Sequence, residues 1–270
     1  MSLSQTEIER ITRQVDAILE EADARPQTGR EIPGVGAVPD NASVASLIDH
    51  TLLKPDAMAR QIERLCFEAK EFEFASVCVN SIFVSLAAEM LKDSPVKVCT
   101  VVGFPLGASL TSVKSYEARQ AIEQGATEVD MVLPIGLLKS RDTLAVFNDI
   151  TEVAAVCHDR DVLCKVILET ALLTDEEKVV ACQIVKRAGA DFVKTSTGFG
   201  GGGATVDDVA LMRGVVGEGV GVKASGGVRD LESAQKIIEA GANRIGASAG
   251  VAIAQAEHGG TVANDSGDGY

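Results

Sequence analysis

Eight short apolar runs, each followed by a stretch of helical periodicity, recur between residues 43 and 256 and limit the fold more than any other feature of the chain. LIDHT (47–51) precedes a helix beginning near Asp56, FASVCVN (74–80) one over 82–92, KVCTVVGF (97–104) one over 112–124, and EVDMVLP (128–134) one over 143–158. VLCKVILET (162–170) leads to 175–187, DFVKTS (191–196) to 206–215, VGVKASGG (220–227) to 231–239, and RIGAS (244–248) to a helix after Ala249. Strands this continuously apolar are buried on both faces, as in a parallel sheet covered by helices. Gly125-Ala126, Gly189-Ala190 and Gly241-Ala242 stand just before strands, where a helix C-cap hands the chain on. Eight units in about 215 residues favour a closed α/β architecture, a (β/α)8 barrel, with a doubly wound open sheet as the alternative.

Ahead of the repeat, Ile8, Ile11, Val15, Ile18 and Leu19 fall at helical spacing within 4–24, an amphipathic helix that needs a surface to pack on. Residues 25–41 carry Pro26, Gly29, Pro33, Gly34, Gly36 and Pro39 and read as an extended linker. The expected division is a helical extension over 1–42, a barrel over 43–257, and a polar, glycine-rich tail over 258–270 that ends in Tyr270.

The most unusual stretch is DFVKTSTGFGGGGAT (191–205). Alternation puts Phe192 and Lys194 on one strand face, an odd setting for a charge. Five glycines within 198–203 can turn backbone N–H groups toward an anion, and a helix starting near Thr205 adds its positive end. Gly198, Gly200 and Gly203 also fit the G-x-G-x-x-G dinucleotide pattern. The acid expected about 20 positions on would then be Glu218, which precedes the next strand rather than ending it. No Gly-Lys-Ser/Thr follows, so this is not a P-loop. A flexible surface loop is the plainer alternative.

In a closed barrel the C-terminal strand ends face one shared site. They offer Asp49, Cys78, Asn80, Asp130, Lys165, Glu169, Lys194 and Lys223. One lysine could be a surface charge; three inward lysines on consecutive strands exceed what a solvated rim requires. At about 5 Å and an effective dielectric of about 20, two ammonium groups repel by about 3 kcal/mol, which lowers one pKa by roughly two units, and burial pushes the same way. Such a lysine can attack a carbonyl to form a Schiff base. Asp130 then relays protons, or pairs with a lysine structurally. Gly226-Gly227-Val228 after strand seven and the 246–250 segment after strand eight stand where barrels bind phosphate, with ordinary tight turns as the alternative.

LIDHTLLKPDA, SVCVN, EVDMVLP, KVILET, DFVKTSTGF and GVKASGGVR, in this order and spacing, resemble the deoxyribose-phosphate aldolases, a class I aldolase family on a TIM barrel; the resemblance covers about 43–256. It implies reversible cleavage of 2-deoxy-D-ribose 5-phosphate to D-glyceraldehyde 3-phosphate and acetaldehyde in deoxyribose phosphate catabolism, without cofactor or metal. Lys194 corresponds to the Schiff-base lysine, Lys223 to a second lysine that keeps it available as an amine, and Asp130 to the proton-relay aspartate, with Lys165 beside it. Substrate contacts are expected from Asp49, Thr51, Cys78, Thr197, Gly198, Gly226, Gly227 and Ser248. Some members end in a tyrosine whose tail assists proton transfer, a part open to Tyr270. The helical extension exceeds the compact bacterial form of the family.

A net charge of −14, no tryptophan and 4% aromatics argue against nucleic-acid binding. The apolar runs are too short to span a bilayer and the polar N-terminus is no signal peptide, so a cytoplasmic protein is expected. Six cysteines without C-x-x-C spacing read as reduced, buried thiols rather than disulfides or a zinc site. The expected partners are sugar phosphates and aldehydes, and a second copy of the chain in a dimer or tetramer. A transaldolase-like enzyme and a non-catalytic sugar-phosphate sensor are the competing functions.

Overall fold

The computed structural model describes residues 3–25, 35–39 and 42–259. Its strands are β1 (Ile48–Leu52), β2 (Ser76–Val79), β3 (Lys97–Val102), β4 (Glu128–Val132), β5 (Leu163–Ile167), β6 (Phe192–Lys194), β7 (Gly221–Ser225) and β8 (Arg244–Ala247). All neighbours are parallel and follow chain order, and β8 returns to β1 through the pairs Ile48–Ile245, Asp49–Gly246 and His50–Ala247. That last ladder makes the sheet a barrel rather than an open doubly wound sheet.

The helices are α1 (Gln5–Glu21), α2 (Ala59–Glu71), α3 (Val84–Leu91), α4 (Thr111–Glu123), α5 (Ile135–Lys139), α6 (Thr143–His158), α7 (Asp175–Ala188), α8 (Val206–Val216), α9 (Leu231–Glu239) and α10 (Gly250–Glu257). One apolar cluster joins them to the outward strand faces, including Val129 and Met131 of β4, Val166 of β5 and Ile150 and Val153 of α6. Inside the barrel a second, smaller cluster of Leu53, Cys78, Cys99 and Val101, with Phe104 against it, fills the side of β2 and β3. The interior is therefore apolar on one side and charged on the other.

Several boundaries differ from the sequence reading. The first helix of the repeat starts at Ala59 rather than near Asp56, and α5 is a short helix that the pattern did not announce. After Lys194 the Thr195 N–H still donates to the Lys223 carbonyl at 3.0 Å, but the pairing with Ser225 passes to the Thr195 side chain. Its Oγ1 donates to the Ser225 carbonyl at 3.1 Å and accepts from the Ser225 N–H at 2.9 Å.

The N-terminal helix finds the surface it needs. Ser4 caps it, with the Glu7 carboxylate accepting the Ser4 N–H at 2.8 Å, and Ile11, Val15 and Leu19 are buried against α7 and α6. Asp16 Oδ1 accepts from Gln183 Nε2 at 2.7 Å and Arg187 Nη1 at 2.9 Å, fixing the helix along α7. The chain then reaches the start of β8, where Asn243 Nδ2 donates to the Val35 carbonyl. All six cysteines are free and buried. Among the described residues no helix is long and apolar enough to cross a membrane. Tyr270 and the tail after Gly259 lie outside the described residues.

Candidate functional site

Period-two alternation turns Asp49, Cys78, Cys99, Glu128, Asp130, Lys165, Phe192, Lys194, Lys223 and Arg244 into the barrel, and ladder register lines up Asp130 with Lys165 and Lys194 with Lys223. Asp130 is the centre. Its Oδ2 accepts from Lys194 Nζ at 2.8 Å and Lys223 Nζ at 2.7 Å, and its Oδ1 from Lys165 Nζ at 2.9 Å and the Cys99 thiol at 3.2 Å. Lys165 also donates to Glu128 Oε2 at 2.6 Å, Lys223 pairs with Asp49, and Arg244 Nη1 bridges Asp49 Oδ1 at 2.7 Å and Glu128 Oε2 at 3.1 Å. The Phe192 ring lies beneath, 6.0 Å from Lys165 Nζ and 5.6 Å from the Arg244 guanidinium. Gly221 makes room for it, since a Cβ there would lie 2.2 Å from a ring carbon.

Fully charged, this cluster holds four cations against three carboxylates. Burial alone would favour neutral forms. Against it, the three lysines hold Asp130 well below the usual carboxylate range. Asp130 and Asp49 hold Lys223 well above the ordinary lysine value despite its burial, and Asp130, Cys99 and Glu128 do the same for Lys165. The two inner lysines are therefore fixed ammonium groups. At Lys165 and Lys223 the acids between the lysines outweigh their mutual repulsion. Among the described residues Lys194 Nζ bonds to Asp130 alone, through an oxygen already shared with Lys223. It is the cation with the smallest share of the negative charge.

Above the cluster, the mouth is lined by buried polar atoms. Ser196 Oγ, Ser225 Oγ, Thr170 Oγ1 and Glu169 Oε1 have no hydrogen-bond partner among the described residues. Such atoms are costly unless a ligand or water meets them. The glycine run forms the loop beside them, with Gly198 (φ 87°) and Gly201 (φ 79°) in the left-handed region. Gly203 packs on Gly226, where a Cβ would stand 2.5 Å from the carbonyl oxygen, and Gly226 and Gly227 have φ of 82° and 84°. The two glycine segments thus meet over the β6 and β7 ends. The helix end after Thr205 adds less than expected. Thr205 caps it by accepting the Asp208 N–H at 3.0 Å, and Asp207 and Asp208 occupy its first turn. Its partial positive charge is already answered.

Of the sequence candidates, Lys194, Lys223, Asp130, Lys165 and Asp49 come together in one network. Cys78 lies beside Cys99, which is held near Asp130; the Cys99 thiol lowers the Cys78 pKa by hydrogen bonding, and the Lys223 and Lys194 charges help against burial. Thr51 turns its hydroxyl to its own strand, donating to the Asp49 carbonyl at 2.7 Å. Thr197 and Gly198 open the glycine loop, and Ser248 is exposed between β8 and α10. Glu128 and Arg244 were missed. The signal for Glu128 was its place two residues before Asp130 on the same strand face. Arg244 opens a strand, where a charge ordinarily meets solvent.

The family model described as DeoC/LacD family aldolase matches residues 43–256. The deoxyribose-phosphate aldolase of Thermoanaerobacter sp. (strain X514) is 64% identical over 214 residues, 79% of this chain and 96% of that protein. The one from Halalkalibacterium halodurans is 62% identical over 216 residues, 80% of this chain and 96% of that protein. Among solved structures, the tetrameric deoxyribose phosphate aldolase of Aeropyrum pernix aligns with a TM-score of 0.75 and 30% identity. It covers 94% of this chain and 98% of that one.

Proposed function

This chain belongs to the DeoC/LacD aldolase family, and we propose that it cleaves 2-deoxy-D-ribose 5-phosphate reversibly to D-glyceraldehyde 3-phosphate and acetaldehyde through an imine on Lys194. The observation that carries the reading is the shared Oδ2 of Asp130, which receives both Lys194 and Lys223. The cluster has one cation too many, and a neutral amine at Lys194 brings it to balance. Lys165, Lys223 and Arg244 each engage two carboxylates, whereas Lys194 engages Asp130 alone, which leaves it the side chain of the cluster least tied down and best placed to meet a carbonyl.

In the proposed mechanism, the Lys194 amine adds to the C1 aldehyde, and loss of water gives an iminium whose new charge faces Asp130. Acetaldehyde has two carbons, so the bond that breaks is C2–C3. Its electron pair moves into the iminium as the C3 hydroxyl loses its proton to Asp130, giving glyceraldehyde 3-phosphate and an enamine. A proton returned to C2 from the Asp130–Lys223 pair regenerates the iminium. Water then releases acetaldehyde and restores the amine. Because Asp130 binds protons weakly, it passes them on rather than keeping them.

The two glycine segments and the unpartnered hydroxyls of Ser196 and Ser225 support a binding end for the sugar hydroxyls and phosphate, with Thr197, Gly198, Gly226, Gly227 and Ser248 as its contacts. Assembly into a homo-oligomer belongs to the same proposal and is supported by the tetramer of the Aeropyrum pernix relative. So does a cytoplasmic location.

Borohydride reduction with acetaldehyde or 2-deoxyribose 5-phosphate, followed by peptide mapping, tests the reading. A reduced adduct on Lys194, absent in Lys194→Ala, is the expected result. Tight binding of the sugar phosphate with no adduct on any lysine would replace the aldolase by a non-catalytic sugar-phosphate sensor.

A further inference from the structure

We infer that Glu169 is the positioning residue that makes this site prefer phosphorylated substrates, by holding the glycine loop in its anion-binding shape. The inference rests on the reading of that loop as a phosphate cradle. Its starting point is a backbone irregularity: Glu169 follows β5 with φ 58° and ψ 62°, a left-handed conformation that a residue with a Cβ adopts only under constraint. The constraint is visible on both sides. The Leu168 N–H donates to the Lys194 carbonyl at 2.8 Å and the Thr170 N–H to the Thr195 carbonyl at 3.0 Å, pinning Glu169 beside the end of β6.

Simple alternation would send this acid into the barrel with Lys165. Instead its carboxylate goes to the loop. Glu169 Oε2 accepts the Thr197 N–H at 3.3 Å and, over a short contact, the Thr197 hydroxyl. The Thr197 Oγ1 in turn accepts the Phe199 N–H at 3.0 Å. Gly200 then lies directly on the carboxylate, where a Cβ would stand 2.6 Å from its carboxyl carbon. The residue is 2% exposed, so these bonds face little competition from water.

The physical need for such a post is clear. A run of glycines loses more conformational freedom on ordering than any other sequence, and its amides converge on an anion only if something else holds the backbone. Gly203 against Gly226 anchors the far end, and Glu169 anchors the near one. A carboxylate would repel a phosphate placed against it, so Glu169 acts through Thr197 and the loop rather than by touching the phosphate.

The test compares Glu169→Ala, Glu169→Gln and Thr197→Val with wild type on 2-deoxyribose 5-phosphate and on unphosphorylated 2-deoxyribose, with borohydride trapping of acetaldehyde as a check on the lysine. Loss of a charge-assisted bond predicts that Glu169→Ala raises KM for the phosphorylated sugar about tenfold to a hundredfold. Turnover of the unphosphorylated sugar and trapping on Lys194 should stay within about threefold, since neither ligand presents a phosphate to the cradle. Glu169→Gln keeps an acceptor for the Thr197 hydroxyl and should recover most of the affinity. Thr197→Val should likewise raise KM for the phosphorylated sugar, and the double variant should raise it no further than the poorer single one, because both act through one bond. Equal losses on both sugars, or an unchanged KM for the phosphorylated one, would overturn the inference. A wild type that traps acetaldehyde on Lys194 yet shows no preference for the phosphorylated sugar would remove the cradle itself, and the role of Glu169 with it, while leaving the lysine chemistry standing.

Discussion

Lys114 and Lys223 are equally buried, both at 0% exposure, yet their surroundings are opposite. Lys114, on α4 outside the barrel, donates to Asp149 Oδ2 at 2.7 Å and to the Val132 carbonyl at 3.0 Å, while Asp149 Oδ1 accepts the Thr111 hydroxyl at 2.8 Å. Gly103 makes room for its stem, since a Cβ there would lie 2.9 Å from Lys114 Cε. One cation meets one anion in a closed pair. Inside the barrel, Lys223 belongs to a set in which four cations share three carboxylates. Burial by itself therefore does not mark a working lysine. Imbalance does: a closed neutral pair gains nothing by releasing a proton, whereas an over-charged cluster approaches neutrality when it does.

The largest test of that contrast is Lys194→Met. Removing the nucleophile should lower kcat about 100,000-fold or more, while the melting temperature stays level or rises because the remaining cluster is balanced. A clear drop in stability would mean that Lys194 serves the fold as Lys114 does. Lys114→Met should behave in the opposite way. Leaving Asp149 charged and buried should cost about 3–5 kcal/mol of stability, seen as a lower urea midpoint, with kcat near wild type wherever the protein is folded. Adding Asp149→Leu should restore much of that loss. Loss of turnover without loss of stability would show that the outer pair takes part in the chemistry.

The smallest effect is in the pH dependence of unfolding. The folded pKa values of Asp130 and Asp49 are depressed by their cationic neighbours, although burial opposes this. The native state therefore binds fewer protons than the unfolded one. Their stabilisation is complete above the unfolded carboxylate value and drains away as pH falls through about 4 toward the lower folded values. Asp130→Asn should flatten the slope of unfolding free energy against pH in that range by about 1.4 kcal/mol per pH unit. An unchanged slope would mean that Asp130 is not held ionised by the lysines.

Much of this arrangement was legible in the residues. The recurrence of apolar strand and helix, and the period of two within EVDMV, LCKVI, FVK and GVKAS, put Asp130 and three lysines on inward faces. Strand alternation is a local property, so it survives reading one segment at a time. Lys114 was invisible for the same reason: on a helix it looks like any solvent-facing lysine until α6 brings Asp149 to it. Glu169 was noted as an inward acid, but its turn to the left-handed region is imposed by neighbouring backbone bonds, which no period reveals.

The sequence alone determined the order of strands and helices, the faces on which the charges stand, and the family motifs that carry the lysines. Tertiary structure alone decided closure by β8 against β1, the seating of α1 along α7, and the sharing of one Asp130 oxygen by Lys194 and Lys223. The reason is range. Backbone geometry and side-chain alternation act over a few residues, whereas charge balance in a water-poor interior depends on groups brought within 3 Å from strands 64 and 93 residues apart in the chain.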